Sequence, residues 1–321
     1  MANLSINIIP EDSVGEVVAL AVEAERLGYD RAWVYDEGLV TRDLYVTLTA
    51  MAAATTRLQI GPGITNPYTR HPAQTAAAIA SLDEYSDGRA FYGIGAGGSL
   101  TLNPLSLSRD RPLKAVEESI DIARQLFSHH RQSFAGPMFP LHQASIDYGR
   151  SNIEVWLAGR GPKMLHLGAT RADGVMLDFI HKPSLGLLID RVRSANPDAR
   201  IAYSTSVATT DHDLDVVRPH MTYRLVDAPQ GVKDALEISP DAVQRIRDAL
   251  AHGLEAAAEH VPDEWITPFI VSGTPEQCAV EIESLMTRHG IEEFVLPLFP
   301  MADQPQYLAQ VAQALGRSTA T

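Results

Sequence analysis

Strand-length apolar runs alternate with helix-length amphipathic segments eight times along this chain, and no other feature restricts its fold so tightly. Residues 5–9, 31–35, 57–64, 89–94, 153–157, 174–177, 201–207 and 293–298 read as strands. Helical patterns follow them at 12–27, 43–55, 72–86, about 110–128, from Pro162, and at 183–194, 241–260 and 304–315. Eight strand–helix units are the count of a (β/α)8 TIM barrel, and 321 residues suit one such barrel domain spanning 1–321. A doubly wound open sheet uses the same units, and strand count alone does not prove closure. Two stretches interrupt the rhythm. Residues 131–151 contain Gly136-Pro-Met-Phe-Pro140, and residues 208–240 carry Asp211, Asp213, Asp215, Pro219, Pro229 and Pro240. Both are expected to be insertions at the C-terminal face, the second an irregular excursion over the barrel mouth.

Composition removes several function classes. A hydrophobic share of 45% supports a sizeable core, while a net charge of −14 lacks the basic footprint of a nucleic-acid binder. The lone Cys278 falls in an apolar helical pattern at 276–286, so a disulfide framework is excluded and a buried inert thiol is expected. No basic leader with an apolar core opens the chain, and no apolar run reaches membrane-spanning length, so a cytoplasmic protein with no membrane partner is expected. His129, His130, His142 and His212 lie outside any metal-ligand spacing, and no metal is expected. G-x-S-x-G is absent, so nucleophilic hydrolysis has no support.

Four strand ends carry the chemistry. Ile60-Gly-Pro-Gly-Ile-Thr-Asn-Pro-Tyr-Thr-Arg-His-Pro72 packs a strand end, a contorted loop and a helix start into thirteen residues, where α/β proteins bind ligands. Gly93-Ile-Gly-Ala-Gly-Gly98 fits G-x-G-x-x-G, but a dinucleotide site needs a helix opening at the third glycine, and Ser99-Leu-Thr-Leu-Asn-Pro-Leu105 intervenes. A flat surface for a planar ring and a plain βα loop remain equal readings. Ala158-Gly-Arg-Gly-Pro-Lys163 ends a strand and opens a helix beside two cations; an anion such as phosphate offsets charges that would otherwise oppose the helix dipole. Tyr35-Asp36-Glu37-Gly38 sets two carboxylates at the catalytic end of the second strand, where a site and an exposed acidic turn weigh equally.

Together these segments resemble the luciferase-like flavin/deazaflavin superfamily. Leu27-Gly-Tyr-Asp-Arg-Ala-Trp-Val-Tyr-Asp36 is similar to the family's second-strand signature, and Leu82-Asp-Glu-Tyr-Ser-Asp-Gly-Arg-Ala-Phe-Tyr-Gly-Ile-Gly-Ala-Gly97 to its fourth-strand signature. The 61–72 segment and Ala158-Gly-Arg-Gly-Pro-Lys-Met164 resemble the branch that uses coenzyme F420, which includes methylenetetrahydromethanopterin reductase and F420-dependent glucose-6-phosphate and alcohol dehydrogenases.

The resemblance implies roles residue by residue. Gly63-Ile64 falls where the family has a non-prolyl cis peptide bulging against the deazaflavin ring. Asp36, Asn66 and Gly97 match cofactor-contacting positions, and Arg160, Gly161, Lys163 and Met164 match the segment on the cofactor's phosphate side. Glu37 stands where the sugar-phosphate branch has a catalytic histidine and inherits a proton-transfer role. Asn7 and Gly98 depart from acids found in relatives, which argues against methanopterin and glucose 6-phosphate as substrates. The implied activity is F420-dependent hydride transfer to or from a small organic molecule. The alternatives are an FMNH2-dependent monooxygenase using FMN, and a flavin-binding relative without chemistry. Alanines 50, 52, 53, 54, 73, 76, 77, 78 and 80 in the second and third helices suit close packing across a homodimer interface, the side through which relatives commonly pair.

Overall fold

The computed structural model describes residues 3–299 and 303–317, so both ends of the expected 1–321 span lie outside it. Eight parallel strands form the interior: Asn3–Ile8, Arg31–Val34, Gln59–Pro62, Tyr92–Ile94, Val155–Ala158, Gly174–Asp178, Arg200–Ser204 and Glu293–Leu298. Numbered in that order, their lateral sequence is 3-2-1-8-7-6-5-4. Chain order therefore runs around the sheet without reversal, and its two edges, the third and fourth strands, meet. Parallel bridges Ile60–Ala90 and Thr65–Ile94 join them. The fold is a (β/α)8 barrel, and the open doubly wound sheet is ruled out.

The joining seam is irregular. Between its two bridges the third strand takes five residue steps against four on the fourth, so one residue is extra and the third strand bulges. The ladder resumes above, where the Thr65 and Gly95 amides donate at 3.1 and 3.0 Å to Gly93 and Thr65.

Helices Val14–Arg26, Leu44–Ala54, Pro72–Tyr85, Pro112–Phe127, Pro162–Arg171 and Lys182–Ala195 follow the first six strands. Several start as their sequences dictate: Ser13 and Glu16 form a capping box, Asp43 accepts from the Val46 amide, and prolines open four first turns. The helix paired with the seventh strand is Pro275–His289, which carries Cys278 buried and its thiol pushed up to about 11 by burial.

Both interruptions differ from expectation. No residue of 131–151 lines the cavity at the mouth, although Phe139 packs 5.6 Å from His71 at the start of helix Pro72–Tyr85. Strands Gln132–Phe134 and Leu141–Ala144 form an antiparallel hairpin. Buried Glu118 accepts from the Met138 and Phe139 amides at 3.1 and 3.0 Å, and Asp83 is held by Arg150 at 2.8 Å, so the hairpin is pinned to the helices that carry those acids. Residues 208–240 are not irregular either. They hold helices Asp211–Val226 and Gln230–Ala235, and the expected 241–260 helix divides into Pro240–Leu250 and Leu254–Ala258. The excursion returns through Val271–Ser272, paired with Val207–Ala208. It has its own core, in which Val217, Met221 and Leu225 meet Ile9, Phe179 and Phe299 from the ends of barrel strands. That contact sets helix Asp211–Val226 over the mouth.

Among the described residues, no helix is long and apolar enough to cross a membrane, and no group of three potential ligands could hold a metal.

Candidate active site

The seam bulge stands at the centre of the mouth. Bulging is possible because the fourth strand is side-chain-poor there. A Cβ on Gly93 would lie 2.0 Å from the Pro62 carbonyl oxygen, and one on Gly95 would lie 2.1 Å from the Ile64 side chain. The glycines of the G-x-G-x-x-G pattern thus admit a neighbouring strand. One feature expected to be absent is present: a helical turn, Ser99–Leu102, opens directly at Gly98. It is four residues long, and its role is local, since Thr101 from it bonds Glu37. The Gly63–Ile64 peptide is cis, and Asn7 from the first strand holds it from beneath, donating Nδ2 to the Gly63 carbonyl at 2.9 Å.

A cavity of about 240 Å³ opens above the bulge. Of the ten residues singled out from sequence, Asp36, Glu37, Gly63, Ile64, Asn66, Gly97 and Arg160 line it. Gly161, Lys163 and Met164 do not. Gly161 caps helix Pro162–Arg171 without a side chain, Met164 packs against Gly159 and the core, and Lys163 lines a separate outer groove with Glu117 and Arg171.

The two acids are held differently from solvated carboxylates. Asp36 accepts from Thr65 Oγ1 at 2.6 Å, and Glu37 accepts from Thr101 Oγ1 at 2.8 Å. Burial raises the pKa of both. For Glu37 the nearby Asp36 and Asp178 carboxyls push the same way, while Thr101 and Arg224 oppose them. Asn66 is buried, and its Oδ1 closes a local turn by accepting from the Tyr68 and Thr69 amides.

Sequence reading missed the polar lining residues Tyr35, Thr101, Asp178, Tyr223 and Arg224. Asp178, at the end of the sixth strand, accepts from Ser204 Oγ at 2.8 Å and faces Arg224 at 3.4 Å. Tyr223 and Arg224 come from helix Asp211–Val226, in a stretch whose composition predicts irregular chain. A signal for that helix exists. Thr210 and Asp213 form a capping box, and buried Val217, Met221 and Leu225 recur every four residues. Three aspartates and Pro219 obscured it.

A wall of two burial-shifted acids, two guanidiniums and a backbone bulge can seat a flat ring, bind an anion at its rim and move a proton. Comparison with known proteins narrows this. The model of the luciferase-like monooxygenase family matches residues 4–293. The chain is 30% identical over 305 residues to 5,10-methylenetetrahydromethanopterin reductase of Archaeoglobus fulgidus, covering 90% of this chain and 91% of that one. It is 27% identical over 320 residues to the F420-dependent glucose-6-phosphate dehydrogenase of Amycolatopsis mediterranei, covering 93% and 92%. The solved coenzyme F420 dependent tetrahydromethanopterin reductase from Methanopyrus kandleri shares the fold, with a TM-score of 0.87 at 23% identity and 98% of each chain covered.

Proposed function

The chain belongs to the luciferase-like monooxygenase family, and from that premise we propose that it is a coenzyme F420-dependent oxidoreductase acting on a small organic substrate. The observation that carries this reading is the seam bulge, presented to a cavity whose rim holds Arg160. The residues present fit the cofactor. Gly63 and Ile64 offer backbone and one aliphatic side chain to a planar ring, with Asp36, Asn66 and Gly97 around them. Gly161 leaves the first-turn amides of helix Pro162–Arg171 without a side-chain cap, which suits a phosphate beside Arg160. Lys163 and Met164 support that end from outside the cavity. When bound, the deazaflavin supplies a hydride, passing two electrons together.

The protein's own part is to orient, exclude water and manage a proton. Glu37 is the proton-transfer group: burial holds its carboxyl toward the neutral form, and Thr101 fixes its direction. Asp36, tied to Thr65, positions the cofactor. Asn7 and Trp33 support the bulge from the barrel interior. The alanine-rich helices Leu44–Ala54 and Pro72–Tyr85, the first with Val46 exposed, support pairing of two copies, and the protein is assigned to the cytoplasm as a single barrel unit.

The test is a titration of the purified protein with F420 and with FMN. F420 is expected to bind at least about tenfold more tightly, and turnover is expected to consume no oxygen. Tighter FMN binding with oxygen uptake would turn the assignment to a monooxygenase.

A further inference from the structure

Two buried donors on residues that line the cavity have no hydrogen-bond partner among the described residues. One is Arg224 Nε, on a side chain only 4% exposed, and the other is the Tyr35 hydroxyl. The rest of the Arg224 guanidinium is committed. Nη1 donates to the His220 carbonyl and the Tyr223 hydroxyl, and the plane lies 4.2 Å over Phe179. Nη2 reaches Asp178 only at 3.4 Å, long for a charge-assisted hydrogen bond, where about 2.7–2.9 Å is usual. Nε and Nη2 share one edge of the guanidinium, so the edge that best grips oxygen is the one left loose. Buried donors without partners are costly, and a native fold keeps them where a partner arrives.

Charge on the wall selects which oxygen. Asp36, Glu37 and Asp178 face Arg160 and Arg224. With Arg160 engaged by the cofactor's phosphate, Arg224 stands against three carboxyls, and against two when Glu37 is protonated. An anionic substrate group would meet net repulsion there. A neutral carbonyl would not, and the negative charge its oxygen gains during reduction is what two fixed donors stabilise.

We propose that Arg224 and Tyr35 form the oxygen-binding subsite of this enzyme, and that its reducible substrate group is a neutral ketone or aldehyde. This rests on the F420 reading above. The carbonyl carbon gains a hydride from the reduced cofactor, its π pair moves to the oxygen held by Arg224 and Tyr35, and Glu37 supplies the proton that completes the hydroxyl. The carbonyl is reduced by two electrons and the cofactor oxidised by two. Glu37 regains its proton from solvent.

The experiment uses the protein loaded with reduced F420 and two ring-matched probes, cyclohexanone and cyclohexanecarboxylate. Cyclohexanone is expected to bind and to oxidise the cofactor, with the carboxylate binding at least about tenfold more weakly. Tyr35→Phe, which removes only the hydroxyl, is expected to lower kcat/KM for cyclohexanone about tenfold or more while leaving the F420 dissociation constant unchanged. Arg224→Lys, which keeps the charge beside Asp178 but loses the fork, is expected to do the same. If that variant fails to fold, Tyr35→Phe decides alone. Tighter binding of the carboxylate, no response to cyclohexanone, or an unchanged kcat/KM in Tyr35→Phe would overturn the subsite. Failure of the wild-type protein to bind F420 would instead overturn the reading beneath it.

Discussion

The two ends of the barrel interior both hold charged side chains, and they treat them in opposite ways. At the floor, Arg31 is buried and fully engaged. It pairs with Glu154 at 2.9 Å and Glu293 at 3.2 Å, donates twice to Gln59, and lies 4.6 Å over Phe91 and 5.2 Å over Trp156. Glu293 also takes the Trp33 indole hydrogen bond, and Glu154 takes Arg200. At the mouth, Asn7 Oδ1, the Tyr35 hydroxyl and Arg224 Nε have no partner among the described residues. The same contrast governs protonation. Burial pushes Glu154 up, but the Arg31 charge and hydrogen bonds from Arg200 and Trp156 win and hold it at about 2. Burial wins at Glu37, whose pKa is raised. A floor with every charge paired makes a rigid plug, whereas a mouth with loose donors and displaced acids holds back hydrogen-bonding capacity for something that is not protein. This is the division of labour expected between the two faces of a barrel.

The largest test of that contrast is at the floor. Arg31→Met leaves Glu293 and Glu154 without their shared cation, and is expected to cost about 3–5 kcal/mol of stability, read as a fall in denaturant midpoint. Tyr35→Phe at the mouth is expected to leave the midpoint almost unmoved. Equal losses from the two variants would erase the distinction.

Glu37→Gln comes next. It keeps the Thr101 contact and the volume while removing the proton, and turnover is expected to fall at least about tenfold with F420 affinity retained. The sign of the pH effect follows from the raised pKa. The protonated, donating form is present at low pH and is lost as pH rises through that value, so wild-type kcat should decline on the alkaline side and the variant should lack that limb. Normal turnover in the variant would reduce Glu37 to a loop carboxylate.

The smallest effect separates the two cations of the 158–164 segment. Arg160 lines the cavity and Lys163 lines an outer groove. Arg160→Ala is expected to weaken F420 binding by more than about 1.4 kcal/mol, a decade in affinity, and Lys163→Ala by less. The reverse order, measured by equilibrium titration, would move the phosphate to the outer groove.

Where local pattern and tertiary need agreed, the chain was readable in advance. The eighth strand falls at 293–298 as its unbroken apolar run predicts, helix Pro162–Arg171 starts at its proline, and the peptide at Gly63–Ile64 is cis as the family resemblance implied. Reading failed where an element's reason lay elsewhere in the chain. Helix Asp211–Val226 looks irregular by composition because its apolar face answers to Ile9, Phe179 and Phe299, far away in sequence. Missing it hid Arg224. Nothing local to 131–151 reveals that Glu118 and Asp83 pin it to the third and fourth helices.

By itself, the sequence determined the period: eight strands and the helices of seven of them (the seventh strand's helix is Pro275–His289, not the expected 241–260), glycines where the fourth strand must admit its neighbour, and an acid pair at the end of the second strand. Local propensity, backbone sterics and hydrophobic spacing are enough for that, because each acts within a few residues. Only the tertiary structure decided that the sheet closes between the third and fourth strands, that burial raises the pKa of Glu37, and that Arg224 arrives over the mouth with its Nε unpartnered among the described residues. Those outcomes depend on burial and on partners tens to hundreds of residues distant, and desolvation is a property of the assembled fold that no stretch of chain carries alone.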